Sequence, residues 1–155
     1  MPLSAVTYNV LASAYIRRAW YPRTSPLVLD PAWRVPALVQ HVANFKADLI
    51  CLQEVEPETF AALRISLGEA GLAGQYASKG AQRPDGLAIF YRREKLALAS
   101  TRVLAYADGM GAEPDSGYIA LIMFLRWSGA LIGVVDTHLM WDSPDAPDSA
   151  RVGLR

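Results

Sequence analysis

The segment "DLICLQEVEP", residues 48–57, decides how this chain is read. Four apolar residues, Leu49, Ile50, Cys51 and Leu52, follow one another without a polar break and end in Gln53 and Glu54. A continuous apolar run is what a strand buried on both faces requires. Pro57 suits the first turn of a helix, so the spacing predicts a strand over 48–55 and a helix from 57. Polar tips of such strands are where open α/β sheets place their ligand sites. The fold reading therefore turns at once into a question about what Glu54 holds.

Upstream, Asp30-Pro31 is a helix start: the carboxylate can cap open N–H groups and the proline fits the first turn. Val35, Leu38, Val39, Val42 and Phe45 then recur at helical spacing, which predicts a helix over 31–46. Residues 3–10, "LSAVTYNV", read as a strand, and 11–30 as an irregular loop anchored by aromatic residues such as Trp20 and Tyr21. Downstream, Phe60, Leu63 and Leu67 line one face of the helix from Pro57, with Gly68 as its stop.

The second half changes character. Strands are predicted over 87–91, 96–106, 118–127 and 131–138, with Ser128-Gly129 turning the last two into a hairpin. A polar loop spans 107–117, and 149–155 reads as the opening of another helix. The order β-α-β-α followed by a meander gives an α/β (α+β) fold, a mixed sheet with helices on one side. Residues 1–155 read as a single domain.

Composition narrows the function classes. Apolar residues make up 52% and charged ones 19%, as in a cored globular protein, and the formal net charge is zero. A broad basic field for nucleic acid is thereby excluded, and any such substrate must be gripped locally. The one cysteine, Cys51, lies in an apolar run and reads as a core thiol in a reducing compartment. With neither a signal-peptide pattern nor an apolar run approaching the roughly 20 residues of a membrane span, the expectation is a soluble, cytoplasmic chain.

Three polar residues stand at strand ends: Asn9 after "AVTY", Glu54 after "ICLQ" and His138 after "IGVVDT". If those strands are neighbours, an amide, a carboxylate and an imidazole meet at one edge, a set suited to a metal-bound phosphate. Mg²⁺ takes a few oxygen ligands, keeps waters and lets phosphate complete its shell. Simpler roles fit each residue too. Glu54 could be a solvated strand end or favourable charge near the helix at Pro57. Asn9 could tie the strand end to loop backbone. His138 could pair with Asp136, which lies on its face by alternation. Cys51 has no catalytic setting, and no Walker loop, Rossmann fingerprint or zinc spacing is present.

Four motifs in order carry a resemblance: "TYNVLA" (7–12), "CLQEVE" (51–56), "DGLAIFYRREKL" (85–96) and "DTHLMW" (136–141). The chain resembles the endonuclease/exonuclease/phosphatase superfamily, most of all its Ccr4-type deadenylase branch with the nocturnin- and angel-like proteins; Trp33-Arg34 is similar to the entry of that branch's first helix. The resemblance implies half of a four-layer α/β/β/α sandwich and Mg²⁺-dependent hydrolysis of a phosphate ester, with Mn²⁺ as a substitute. It implies that Glu54 is the metal carboxylate, that Asn9 orders the metal and phosphate, and that His138 sits beside the scissile phosphate. Asp85, with Gly86, is implied near the substrate, and Pro144 against a substrate base. RNA or a nucleotide is the favoured substrate, with inositol phosphates or lipids as a further alternative.

Two departures matter. Asp136 stands where the branch often has asparagine. A Gly-Asp-x-Asn-type motif and a terminal Asp-His pair are missing from these residues, so the expectation is the N-terminal half of a domain, inactive alone and completed by further chain or a partner. A non-catalytic binding module is the competing expectation.

Overall fold

The computed structural model describes residues 2–80, 82–106 and 117–139. Its first sheet joins four strands in the order β1 (Ala5–Asn9), β2 (Leu49–Val55), β4 (Gly86–Arg92) and β3 (Leu72–Ser78). β1 and β2 are parallel, with Asn9 opposite Gln53, and the other pairs are antiparallel. The second sheet is the expected meander, β5 (Ala97–Ala105), β6 (Ile119–Trp127) and β7 (Ala130–Thr137). Ser128 and Gly129 turn its last hairpin with φ of 48° and 83°, the left-handed pair a tight two-residue turn requires.

Alternation along β2 explains the layers. Ile50, Leu52 and Val55 face the helices α2 (Pro31–Ala43) and α3 (Pro57–Glu69), packing with Leu38, Val42, Leu63 and Leu67. Leu49 and Cys51 face the other way and meet Leu121, Met123 and Leu125 of the second sheet. The inner face of the first sheet is therefore covered, not bare. On the second sheet Val103, Leu104, Leu131 and Val135 remain exposed.

Asp30 caps α2 as its sequence predicts, accepting from the Ala32 N–H at 2.8 Å. The helix ends at Ala43 rather than near residue 46, where Lys46 turns the chain at φ 51°. α3 continues through Gly68, and the left-handed turn falls at Gly71, φ 84°. The loop over 11–30 contains two short 3-10 turns, Ser13–Tyr15 and Arg18–Trp20, and the single helical turn α1 (Pro26–Leu29).

β3 has no counterpart in the sequence reading. Its stretch "LAGQYAS" is poor in strand formers, and it exists by pairing with β4 along its whole length. Gly74 within it leaves room for the Phe90 ring: a Cβ there would lie 2.4 Å from Phe90 Cε1.

At the end of β2 remote from Glu54, Asp48 gathers four donors. It accepts from the Ser4 N–H and hydroxyl, from Arg92 Nε at 3.2 Å and from Lys95 Nζ at 3.0 Å. Among the described residues no helix is long and apolar enough to cross a membrane.

Candidate active site

Glu54 is one residue too many for its ladder. Gln53 faces Leu87 and Val55 faces Gly86, so Glu54 forms a bulge with no partner across the sheet. Its φ is 58°, a conformation uncommon for a residue with a Cβ. The bulge resets the parity of the strand. Val55 goes into the helix-facing core, and the Glu54 carboxylate is left at the rim. Strain of this kind clusters at functional sites.

The carboxylate is held from two sides. Asn9 Nδ2 donates to Oε1 at 2.8 Å, and the Ala12 N–H donates to Oε2 at 3.1 Å. Asn9 in turn accepts from the Leu11 N–H through Oδ1 at 2.8 Å, so it ties the strand end to the loop and orients the acid at once. Glu56 takes the next two amides, Ser13 and Ala14, each at 3.0 Å. Arg34 of α2 donates to the Val10 carbonyl and fixes the same turn from behind.

His138 follows β7 and brings Nε2 to 3.8 Å from Glu54 Oε1. Asn9, Glu54 and His138 thus converge on one rim across the two sheets. His138 does not pair with Asp136. Its Nδ1 lies 3.3 Å from Lys79 Nζ, just past the end of β3. Burial, and then the Lys79 charge, push the His138 ring below its ordinary pKa, against the pull of Glu54.

Lys79 and Asp85 form a buried ion pair at 2.6 Å, with side chains 2% and 0% exposed. The other Asp85 oxygen accepts from the Tyr15 hydroxyl at 2.6 Å. Burial, reinforced by Asp85, pushes that hydroxyl up to about 12. Both Asp85 oxygens are therefore engaged within the protein. Gly86 beside it is required by space: a Cβ would sit 2.2 Å from the Ala77 carbonyl oxygen.

Asp136 points into the space between the sheets and accepts from Gln53 Nε2 at 2.6 Å. Burial raises its carboxyl to about 7 despite that bond, and its other oxygen, Oδ2, is buried without a hydrogen-bond partner among the described residues. Cys51, nearby, is pushed up to about 12 by burial and then by the Asp136 charge, so its thiol is inert.

Pro144 and Trp141 lie outside the described residues. Tyr15, Glu56 and Lys79 were missed in the sequence. A lysine directly after "QYAS" would have signalled the last of these only had that stretch been read as a strand. Among the described residues no group of three or more histidine, cysteine, aspartate or glutamate side chains could hold a metal ion.

Residues 6–152 match the Endonuclease/Exonuclease/phosphatase family. The chain is 33% identical over 118 residues to 2′,5′-phosphodiesterase 12 of Bos taurus, covering 72% of this chain and 19% of that protein. It is 29% identical over 164 residues to the CCR4-Not complex 3′-5′-exoribonuclease subunit Ccr4 of Candida albicans, covering 90% of this chain and 21% of that protein. The crystal structure of ANGEL2, a 2′,3′-cyclic phosphatase, in complex with adenosine-2′,3′-vanadate superposes with a TM-score of 0.79 at 26% identity. That match covers 90% of this chain and 42% of the ANGEL2 chain. The chain spans about a fifth of the length of these curated relatives.

Proposed function

This chain belongs to the endonuclease/exonuclease/phosphatase family, and from that premise we propose that it serves in hydrolysing a phosphodiester bond of RNA or a nucleotide with a divalent cation, Mg²⁺ before Mn²⁺. The observation that carries the reading is the meeting of Asn9, Glu54 and His138, with Glu54 Oε1 2.8 Å from Asn9 Nδ2 and 3.8 Å from His138 Nε2. The relatives named above are a 2′,5′-phosphodiesterase, a 3′-5′-exoribonuclease subunit and a 2′,3′-cyclic phosphatase in complex with adenosine-2′,3′-vanadate, which supports the substrate class.

Glu54 fits one arm of a hard-cation site. From the described residues each of its oxygens accepts one hydrogen bond, while an ionised carboxylate offers about four lone-pair positions. Mg²⁺ uses one or two carboxylates and leaves the rest of its shell to water and phosphate. When bound, the cation would polarise the phosphoryl oxygen and ease ionisation of a water. Asn9 holds the carboxylate at the angle the bulge sets. His138 offers its ring to a phosphate oxygen. Lys79 puts a buried positive charge behind that ring, and Asp85 acts through Lys79 and Tyr15 rather than by touching substrate. Pro144 retains the role of packing on a substrate base.

The reading includes a C-terminal portion, in this chain's continuation or a partner, that supplies further cation ligands. The 42% coverage of the ANGEL2 chain and the exposed Leu131 and Val135 of edge strand β7 support it.

The test is hydrolysis of a short RNA and of a 2′,3′-cyclic nucleotide in Mg²⁺, by this chain and by the chain carried through its reading frame past Arg155. Each is compared with its Glu54→Ala variant. Turnover lost in the variant is the expected result. Equal turnover removes Glu54 from the reaction, and nucleotide binding without turnover in every version favours a binding module.

A further inference from the structure

We propose that Lys79 is a positioning residue which holds the His138 ring as a single neutral tautomer, protonated on Nε2 and bare on Nδ1, so that the site is offered an N–H and not a lone pair.

The contact with Lys79 dictates the tautomer, and the surroundings of Nε2 are compatible with it. A lysine ammonium has donors only, so Nδ1, 3.3 Å from Lys79 Nζ, must be the acceptor. On the opposite side of the ring, Nε2 faces the Glu54 carboxylate at 3.8 Å. A bare Nε2 would set a lone pair against that negative charge. An Nε2–H is attracted to it, yet 3.8 Å is too long for a hydrogen bond, so Glu54 does not consume the proton.

Lys79 is placed to impose this because it has little freedom. Its side chain is 2% exposed, it bonds Asp85 at 2.6 Å, and its ammonium lies 5.1 Å from the centroid of the Tyr118 ring. Asp85 is fixed in turn by the Tyr15 hydroxyl at 2.6 Å. An Nδ1–H would abut the ammonium, so the same contact excludes a proton at that atom.

For a bound phosphate, the consequence is a neutral hydrogen-bond donor. The Nε2 atom cannot accept a proton from an attacking water while it carries one and Lys79 occupies Nδ1. That last step rests on the hydrolase reading. The tautomer does not.

The chain has two histidines, His41 and His138, so long-range ¹H–¹⁵N spectra of the labelled protein at pH 8 contain two ring systems, and His41→Gln assigns them. The expected pattern for His138 is a protonated Nε2 and an unprotonated, hydrogen-bond-accepting Nδ1. In Lys79→Met with Asp85→Asn, which leaves no unpaired buried charge, the two nitrogen shifts should move toward each other as both tautomers populate. A protonated Nδ1 in the wild type overturns the proposal, as does an unchanged pattern in the folded double variant. Should the double variant lose its amide dispersion, the wild-type spectrum still decides. No substrate enters the experiment, so a missing turnover beside an intact Nε2–H pattern would sink the hydrolase reading alone.

Discussion

Gln53 and Asp136 meet between the two sheets, the Gln53 amide nitrogen 2.6 Å from an Asp136 carboxyl oxygen. Gln53 immediately precedes Glu54 on β2, and Asp136 lies two residues before His138 on β7. This hydrogen bond thus ties together the strands that deliver the acid and the imidazole. Replacing Gln53 by alanine removes the one side-chain donor to a buried carboxyl. Urea unfolding should show a loss of about 2 kcal/mol. A loss below a few tenths would mean that the bond is replaced by solvent.

Asp136 also predicts a pH dependence. Its carboxyl stands at about 7, well above the ordinary aspartate range, because burial penalises the charge. A raised acid binds its proton more tightly in the folded state, so its contribution favours folding at low pH. That contribution declines as pH rises from about 4 and is exhausted above about 7. Between pH 5 and 8 the thermal midpoint should fall, with a loss on the order of 3 kcal/mol, and Asp136→Asn should flatten the curve. A wild-type midpoint that climbs over that interval contradicts the assignment.

Asp48 acts in the opposite sense and in a lower window. Burial opposes its ionisation, but the Ser4 and Lys95 hydrogen bonds outweigh it and bring the carboxyl down to about 2. Its stabilisation is present above about 4 and is lost as pH falls toward 2. Asp48→Ala should cost about 2 kcal/mol at pH 7, since Arg92 and Lys95 lose a shared acceptor. Acid titration of the variant by circular dichroism should lack the component between pH 4 and 2.

The left-handed backbone at Glu54 separates strain from chemistry. Both Glu54→Ala and Glu54→Gly lose the carboxylate, but only glycine adopts a φ of 58° without a penalty. The glycine variant should be more stable than the alanine variant by about 1 kcal/mol in chemical denaturation. Equal stabilities would imply that the bulge relaxes once the acid is gone.

Catalytic loss should follow a different pattern from stability loss. Glu54→Gln keeps the size and one acceptor oxygen but removes the charge. In the chain carried past Arg155, turnover in Mg²⁺ should fall by at least about 10²-fold, and a chelator should do the same without the substitution. Full activity in the presence of chelator would remove the cation from the reaction.

β2, which carries Glu54, is legible because a strand buried on both faces must be apolar until its tip, whereas β1 and β7 are largely exposed and legible only from their strand-forming residues. α2 is legible because its apolar stripe and its Asp30 cap agree. β3 is not, since Ala73, Gly74 and Gln75 have no strand preference of their own and are recruited by β4. Lys79 went unnoticed with it. The bulge is hidden for another reason: alternation assumes one residue per position, and nothing local announces that Glu54 is the extra one. Nor does the pattern of the meander say whether it extends the first sheet or faces it. That choice is made by Leu121, Met123 and Leu125 filling the space beside Leu87 and Ile89.

Glu54 grips the Ala12 amide while Glu56 grips the next two, so the pair anchors the turn that delivers Tyr15 to Asp85. The acid thus serves the architecture whether or not a substrate is turned over. The presence of this glutamate is therefore no mark of activity by itself, since the fold has its own use for it.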